Sequence, residues 1–372
     1  NEELEVRWRE EVEVDSGCSS PSNIRTFKHS NFQTSNVKPQ TSNVSRIEWI
    51  SVDPAICDQS RGKGYNEILL MNEAVARSET IKKAGADSTG AVVIPSEIKG
   101  CAVTEIATSA FSGRQDITTV SIPDSVKKIG NLAFANCVGL TTVVLPQGLE
   151  LIDQGVFAGC SALRSVSIPE SVTLIGIGAF SGCESLESLT LPSGLVTIDQ
   201  GAFSSCSHLG SIVIPSNVAT IGGYAFSDCV GLKTLTILAP YVSIGEFAFV
   251  GCTSLSLVTM PESVEDVGAR AFWDCTALAD ASGFIVINTV LYGYCGQAKN
   301  LVIPDSISRV GNYALVWNED IVSVVVPATV RAVGENAFYG CRELSSVTLM
   351  EGLTAIGAHA FEFCEKLTSL TV

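Results

Sequence analysis

The chain has 372 residues, 46% of them apolar and 17% charged, with 23 Lys+Arg against 39 Asp+Glu for a formal charge of −16. No apolar run reaches the ~18 residues that a membrane-spanning helix needs. Charge of this sign repels phosphate backbones and anionic lipid, so the expected partners include no nucleic acid, and it also aids solubility.

Residues 1–45 open with apolar–polar alternation at Leu4-Glu5-Val6-Arg7-Trp8 and Val12-Glu13-Val14, which predicts short extended pieces. A polar stretch follows, with a duplication at Gln33-Thr34-Ser35-Asn36-Val37 and Gln40-Thr41-Ser42-Asn43-Val44. Such an arm is expected to order only against its own body or against a partner. The start at Asn1, without Met, predicts a trimmed product. Residues 46–88 read as an N-terminal cap, with a strand at Ile68-Leu69-Leu70-Met71 and a short helix in Glu73–Lys83. A cap is needed because the first coil of a stacked array otherwise shows its apolar edge to water.

From residue 89 onward the chain repeats. Phenylalanine recurs every 23 residues at Phe111, Phe134, Phe157, Phe180, Phe203, Phe226, Phe249 and Phe272, and returns at Phe338 and Phe361. A fixed period of 20–30 residues marks a solenoid in which each copy is one coil. In the coil from Leu163 to Cys183, Val166-Ser167-Ile168 is a strand with two apolar side chains inward and one polar side chain outward. Pro169 ends the strand, lacking the N–H that a ladder requires. Val172 and Ile175 return to the core, and Gly176 is expected at a turn with φ > 0. Ala179, Phe180 and Cys183 close the coil on a short helical or 3₁₀ turn. The register breaks once, between Phe272 and Leu315, where residues 276–303 form an irregular coil. Phe284–Ile287 and Thr289–Tyr292 are expected to pair there as a hairpin. About twelve coils at ~4.8 Å per strand step give a body roughly 55 Å long. The chain stops in mid-strand at Leu370-Thr371-Val372, which predicts either a fragment or a covered edge.

The coil pattern Ile-Pro-x-x-Val-x-x-Ile-Gly-x-x-Ala-Phe-x-x-Cys-x-x-Leu-x-x-Val-x-Ile, with its opening at Val93-Ile94-Pro95-Ser96, Gly100 and Val103-Thr104-Glu105-Ile106, resembles the BspA-like leucine-rich repeat family. The resemblance covers about residues 90–372. It implies an α/β repeat fold, a right-handed leucine-rich-repeat solenoid with a parallel β-sheet on its concave face. It also implies a cell-surface or secreted protein acting in adhesion or in binding extracellular proteins.

Nine of the 13 cysteines (Cys137, Cys160, Cys183, Cys206, Cys229, Cys252, Cys275, Cys341 and Cys364) fall three residues after the Phe position. Structural zinc sites use closely spaced pairs such as C-x₂-C, and none occurs, so this column reads as small buried hydrophobes. Cys18, Cys57, Cys101 and Cys295 lie outside it, and a Cys18–Cys57 bridge would pin arm to cap in an oxidising compartment. His29, His208 and His359 fall in different segments and assemble no catalytic set, so no enzyme is expected. Arg61-Gly62-Lys63-Gly64 lacks phosphate-loop spacing and reads as a turn, while Asn43-Val44-Ser45 is an isolated glycosylation triplet. No cofactor and no metal is implied.

The outward strand positions carry the functional expectation. Ser121, Thr142, Ser165, Ser167, Ser188, Thr190, Ser211, Thr234, Thr236 and Thr259, with valines between them, form a nearly uncharged carpet on the concave sheet. Small side chains let a partner approach closely, and hydroxyls bond a peptide or a glycan; the same residues also suit a pleated face on propensity alone. Ice-binding ladders share Thr-x-Thr but fit a mixed Ser/Val curved sheet poorly. Trp273, Phe284, Tyr292, Tyr294, Tyr313 and Trp317 cluster at the register break. They serve either as interface anchors or as packing that replaces the missing Phe and Cys. The expected function is recognition or adhesion through the carpet toward a protein or glycan ligand. The alternative is a scaffold subunit of a larger complex, docked through its N-terminal arm and its C-terminal edge strand.

Overall fold

The computed structural model describes residues 68–70, 90–98 and 101–371. The arm, the expected helix at Glu73–Lys83, the Cys18–Cys57 pair, His29, Arg61–Gly64 and the Asn43 triplet lie outside the described residues. Ile68–Leu70 is a strand, paired in parallel with Cys101–Ile106. A short antiparallel pairing of Glu97–Ile98 with the same strand turns the chain into the first coil.

The body is a solenoid of about twelve turns. Each 23-residue coil contributes two strands to two parallel ladders. The first ladder holds the predicted strands, Ala91–Val93, Thr119–Ser121, Thr142–Val144, Ser165–Ser167 and Ser188–Thr190 in one run. Ser211–Ile214, Thr234–Ile237 and Leu257–Thr259 form a second run, and Asn300–Val302 through Ser369–Thr371 a third. The second ladder was not legible as such. It joins two-residue strands such as Leu151–Ile152, Leu174–Ile175 and Thr197–Ile198 at the Val-x-x-Ile positions. Strands this short carry no alternation to read; only stacking of coils reveals them.

The Ala-Phe segments are turns, and among the described residues the single 3₁₀ helix is Thr276–Leu278. Phenylalanine rings stack down the axis, for example Phe180 on Phe203 at 5.3 Å and 2° between planes. Each buried ring contributes about 1.5–3 kcal/mol by leaving water. The nine column cysteines lie one per coil beside them. Each thiol donates to the carbonyl of the residue 26 positions back, as in Cys183 Sγ to Phe157 O at 3.3 Å. A thiol thus ties each coil to the one before it. Burial pushes Cys137, Cys183 and Cys341 up to about 12.

Gly176 corrects the sequence reading. Its φ is not positive; instead a Cβ there would meet Asp153 C and Ile152 O of the preceding coil at 3.0 Å. Glycine is required by close backbone approach between coils. The left-handed positions lie two residues before and two after each Phe, for example Gly178 (φ 59) and Gly182 (φ 72) around Phe180.

At the register break Phe284–Ile287 pairs antiparallel with Val290–Tyr294. The hairpin is present, with its second strand starting one residue later and ending two residues later than expected. Asn288, at φ 53, takes the left-handed turn that asparagine tolerates. The hairpin is also the seam between two hydrophobic cores. Ile285 and Ile287 close the core that begins at Val92, whereas Phe284 and Leu291 open the core that runs to Ala360.

Candidate ligand face

The first ladder sets the carpet in register. Thr142 pairs with Ser165, and Ser165 and Ser167 pair with Ser188 and Thr190. Thr234 lies beside Ser211, and Thr236 beside Thr259. Ser121 stands next to Val144. The hydrogen-bonded ladder separates between Ser188–Thr190 and Ser211–Ile214, so the candidate face is two adjoining runs. Thr142, Ser165, Ser167, Ser188, Thr190, Ser211 and Thr259 are exposed, and Ser121, Thr234 and Thr236 half-buried. The inward neighbours Val143, Val166 and Leu189 are buried, which is what fixes the hydroxyls outward.

These hydroxyls differ from Ser and Thr elsewhere on the coil. Outside the strands, several side chains reach back one coil: Thr141 Oγ1 donates to Thr118 O at 3.0 Å, Ser263 Oγ to Pro240 O at 2.6 Å, and Thr354 Oγ1 to Arg331 O at 2.8 Å. Among the described residues the ten carpet hydroxyls make no such bond. In the third run Ser323 Oγ donates to Asn300 Oδ1 at 2.8 Å. The carpet therefore offers donors and acceptors with no internal competitor. No carboxylate or ammonium interrupts its two outward columns from Thr119 to Thr259.

The aromatic group divides in two. Phe284 is buried and stacks at a tilt on half-buried Tyr294, 5.1 Å away, while Tyr292 meets Phe272 edge-on at 5.8 Å and ends the Phe stack. These three fill the irregular coil. Trp273 is 45% exposed, and Tyr313 and Trp317 are half-buried on the turn edge. Arg270 lies over Trp273 at 4.4 Å and Arg342 over Trp317 at 5.4 Å. The sequence reading missed Tyr224, Phe247, Tyr339 and Phe363, which extend this aromatic edge through ring pairs such as Tyr224–Phe247 at 5.0 Å. For all but Tyr339 the available signal was a bulky residue in one of two columns that in other coils hold glycine: Tyr224, Phe247, Arg270, Tyr313, Trp317 and Phe363 all have φ between 53 and 58.

Among the described residues no group of His, Cys, Asp and Glu could hold a metal, and no helix is long and apolar enough to cross a membrane. Ser369–Thr371, the predicted edge strand, pairs with Ser346–Leu349 and is exposed.

Comparisons with known proteins agree with this architecture. No curated protein matches the chain. A leucine-rich repeat protein from Bacteroides ovatus is 28% identical with a TM-score of 0.50, over 75% of this chain and 73% of that one. A leucine-rich cell surface protein from Faecalibacterium prausnitzii is 22% identical with a TM-score of 0.43, over 77% and 88% of the respective chains. The pneumococcal vaccine antigen PcpA is 20% identical with a TM-score of 0.38, over 72% and 68%. The model of the BspA-type leucine-rich repeat region matches residues 92–210, 173–285 and 285–372. The chain is a member of the BspA-type leucine-rich repeat family.

Proposed function

We propose that the chain is a non-enzymatic recognition or adhesion module of the cell surface or secreted space, binding a protein ligand through the Ser/Thr/Val sheet. One observation carries this reading: hydroxyls in two ladder-aligned outward columns have no hydrogen-bond partner within the described molecule, whereas Thr141, Ser263 and Thr354 at other positions of the coil are bonded back one coil. Rigid parallel strands hold those hydroxyls about 4.8 Å apart, a spacing that meets the polar groups of an extended ligand. Family membership supports the class of function, since such solenoids offer a long surface rather than a pocket.

The test is binding of the purified chain to a panel of extracellular proteins and to a glycan array. The double variant Ser167→Arg/Thr190→Arg runs alongside. Saturable binding to a protein on the panel, abolished in the variant while its circular dichroism stays unchanged, is the expected result. Glycan-only binding would replace the ligand class. Binding indifferent to the variant would overturn the carpet as the site. Co-purification of fixed partners at constant ratio would favour a scaffold subunit instead.

A further inference from the structure

Around each Phe, the coils are joined by a regular backbone ladder. The N–H groups of the Phe position and of the residue two beyond donate to the following coil's carbonyls one before and one after its own Phe. Phe249 N–H donates to Ala271 O at 2.8 Å and Gly251 N–H to Trp273 O at 3.0 Å. Past the break, Leu315 N–H donates to Ala337 O and Trp317 N–H to Tyr339 O, both at 2.8 Å. The irregular coil interrupts this ladder, because its hairpin returns without making the turn. Among the described residues, Phe272 N–H and Asp274 N–H find no backbone acceptor, and Ala314 O finds no donor. Val316 O, which by register would take a backbone N–H, takes the guanidinium of Arg270 at 3.4 Å. A side chain has to bridge the step, so the two turns stand further apart than one strand spacing.

The corners on both sides of this gap keep the left-handed geometry of the other coils. Arg270 and Asp274 flank Phe272, and Tyr313 and Trp317 flank Leu315, all in the left-handed region at φ 53, 60, 56 and 56. In the Phe180 coil glycine holds both such positions at no steric cost.

We propose that this gap receives an extended segment of a protein partner. Its main chain would accept from Phe272 N–H and Asp274 N–H on one wall and donate to Ala314 O on the other. Donors on one side and acceptors on the other, in ladder register, are the chemistry of a missing strand. Strand addition draws its affinity from main-chain bonds and its specificity from flanking side chains. The site lies on the turn edge and is separate from the Ser/Thr carpet.

The experiment is selection of a displayed library of 12-residue peptides on the full chain, followed by binding and amide exchange with the enriched peptide made synthetically. The expected result is protection of the Phe272 and Asp274 amides. Methylating alternate peptide nitrogens should weaken binding by about tenfold per lost bond, with a period of two residues, and this readout leaves the protein unaltered. Ser167→Arg/Thr190→Arg should leave binding of the same peptide unchanged. The proposal is overturned if no peptide is enriched, if protection falls on the carpet strands, or if N-methylation is tolerated at every position.

Discussion

Arg270 Nη2 reaches Val316 O at 3.4 Å across the one place where, among the described residues, coil-to-coil bonding on the turn edge is interrupted. Its guanidinium also lies 4.4 Å over Trp273, so one side chain ties the end of the first core to the start of the second. Solenoid stability is a sum of coil terms and nearest-neighbour interface terms, and a weak interface limits how far cooperativity spreads.

Arg270→Ala is therefore expected to cost about 1–2 kcal/mol, through loss of a charged hydrogen bond and a cation–π contact offset by relief of left-handed strain. The loss should concentrate at the seam. Chemical denaturation of the variant should separate into two transitions, with hydrogen exchange around Val316 rising first. A single unbroken transition at wild-type midpoint would show that the hairpin alone joins the cores.

Two glycines with different roles make a paired test. A Cβ at Gly222 would sit 2.5 Å from Gln200 N of the preceding coil, whereas one at Gly201 would meet nothing within 4 Å and suffers only φ 60. Gly222→Ala must push coils apart and is expected to cost about 3 kcal/mol or more, an overpacking penalty in a repeating contact. Gly201→Ala should cost about 1–2 kcal/mol, the left-handed penalty for one residue. Thermal melts of the two variants rank them directly, and an equal cost would refute the close-approach explanation.

Cys137, Cys160 and Cys183 of the buried column should be silent toward alkylating agents. Cys183 is fully buried, and burial holds its thiol at about 12, so thiolate is scarce at pH 8. Iodoacetamide on the native chain, read by peptide mass spectrometry, should label half-buried Cys295 well before Cys137, Cys160 or Cys183. Rapid native labelling of these three would mean that the coils open on the labelling timescale.

Asp274 gives the pH prediction. Burial first and the nearby Asp228 second raise its carboxyl above the usual range. A raised folded pKa means the folded state binds the proton more tightly than the unfolded chain. The contribution is therefore fully present below the ordinary carboxylate pKa and is lost as pH rises through the raised value. Asp274→Asn keeps the left-handed corner and removes the charge, so it should raise the melting temperature slightly at pH 7 and make no difference at pH 3. Destabilisation at pH 7 would show that the carboxylate is held by a favourable contact.

Much of this molecule can be read from residues 90–372 as a sequence. The Phe period, the alternation at Val166-Ser167-Ile168 and the cysteine column dictate a stacked parallel solenoid, because each position recurs often enough to identify its environment. The outward Ser/Thr columns follow from the same alternation, and the structure places them on one ladder. Contacts between coils are another matter, since they join residues 22 to 26 apart that no local pattern links. Stacking alone decided that Gly176 is there for close approach and that each thiol bonds the carbonyl one coil back. It also decided that Tyr292 plugs the Phe stack and that Arg270 spans the missing turn. Periodicity specifies which face a residue takes within its coil; the distance between neighbouring backbones specifies what that face must do.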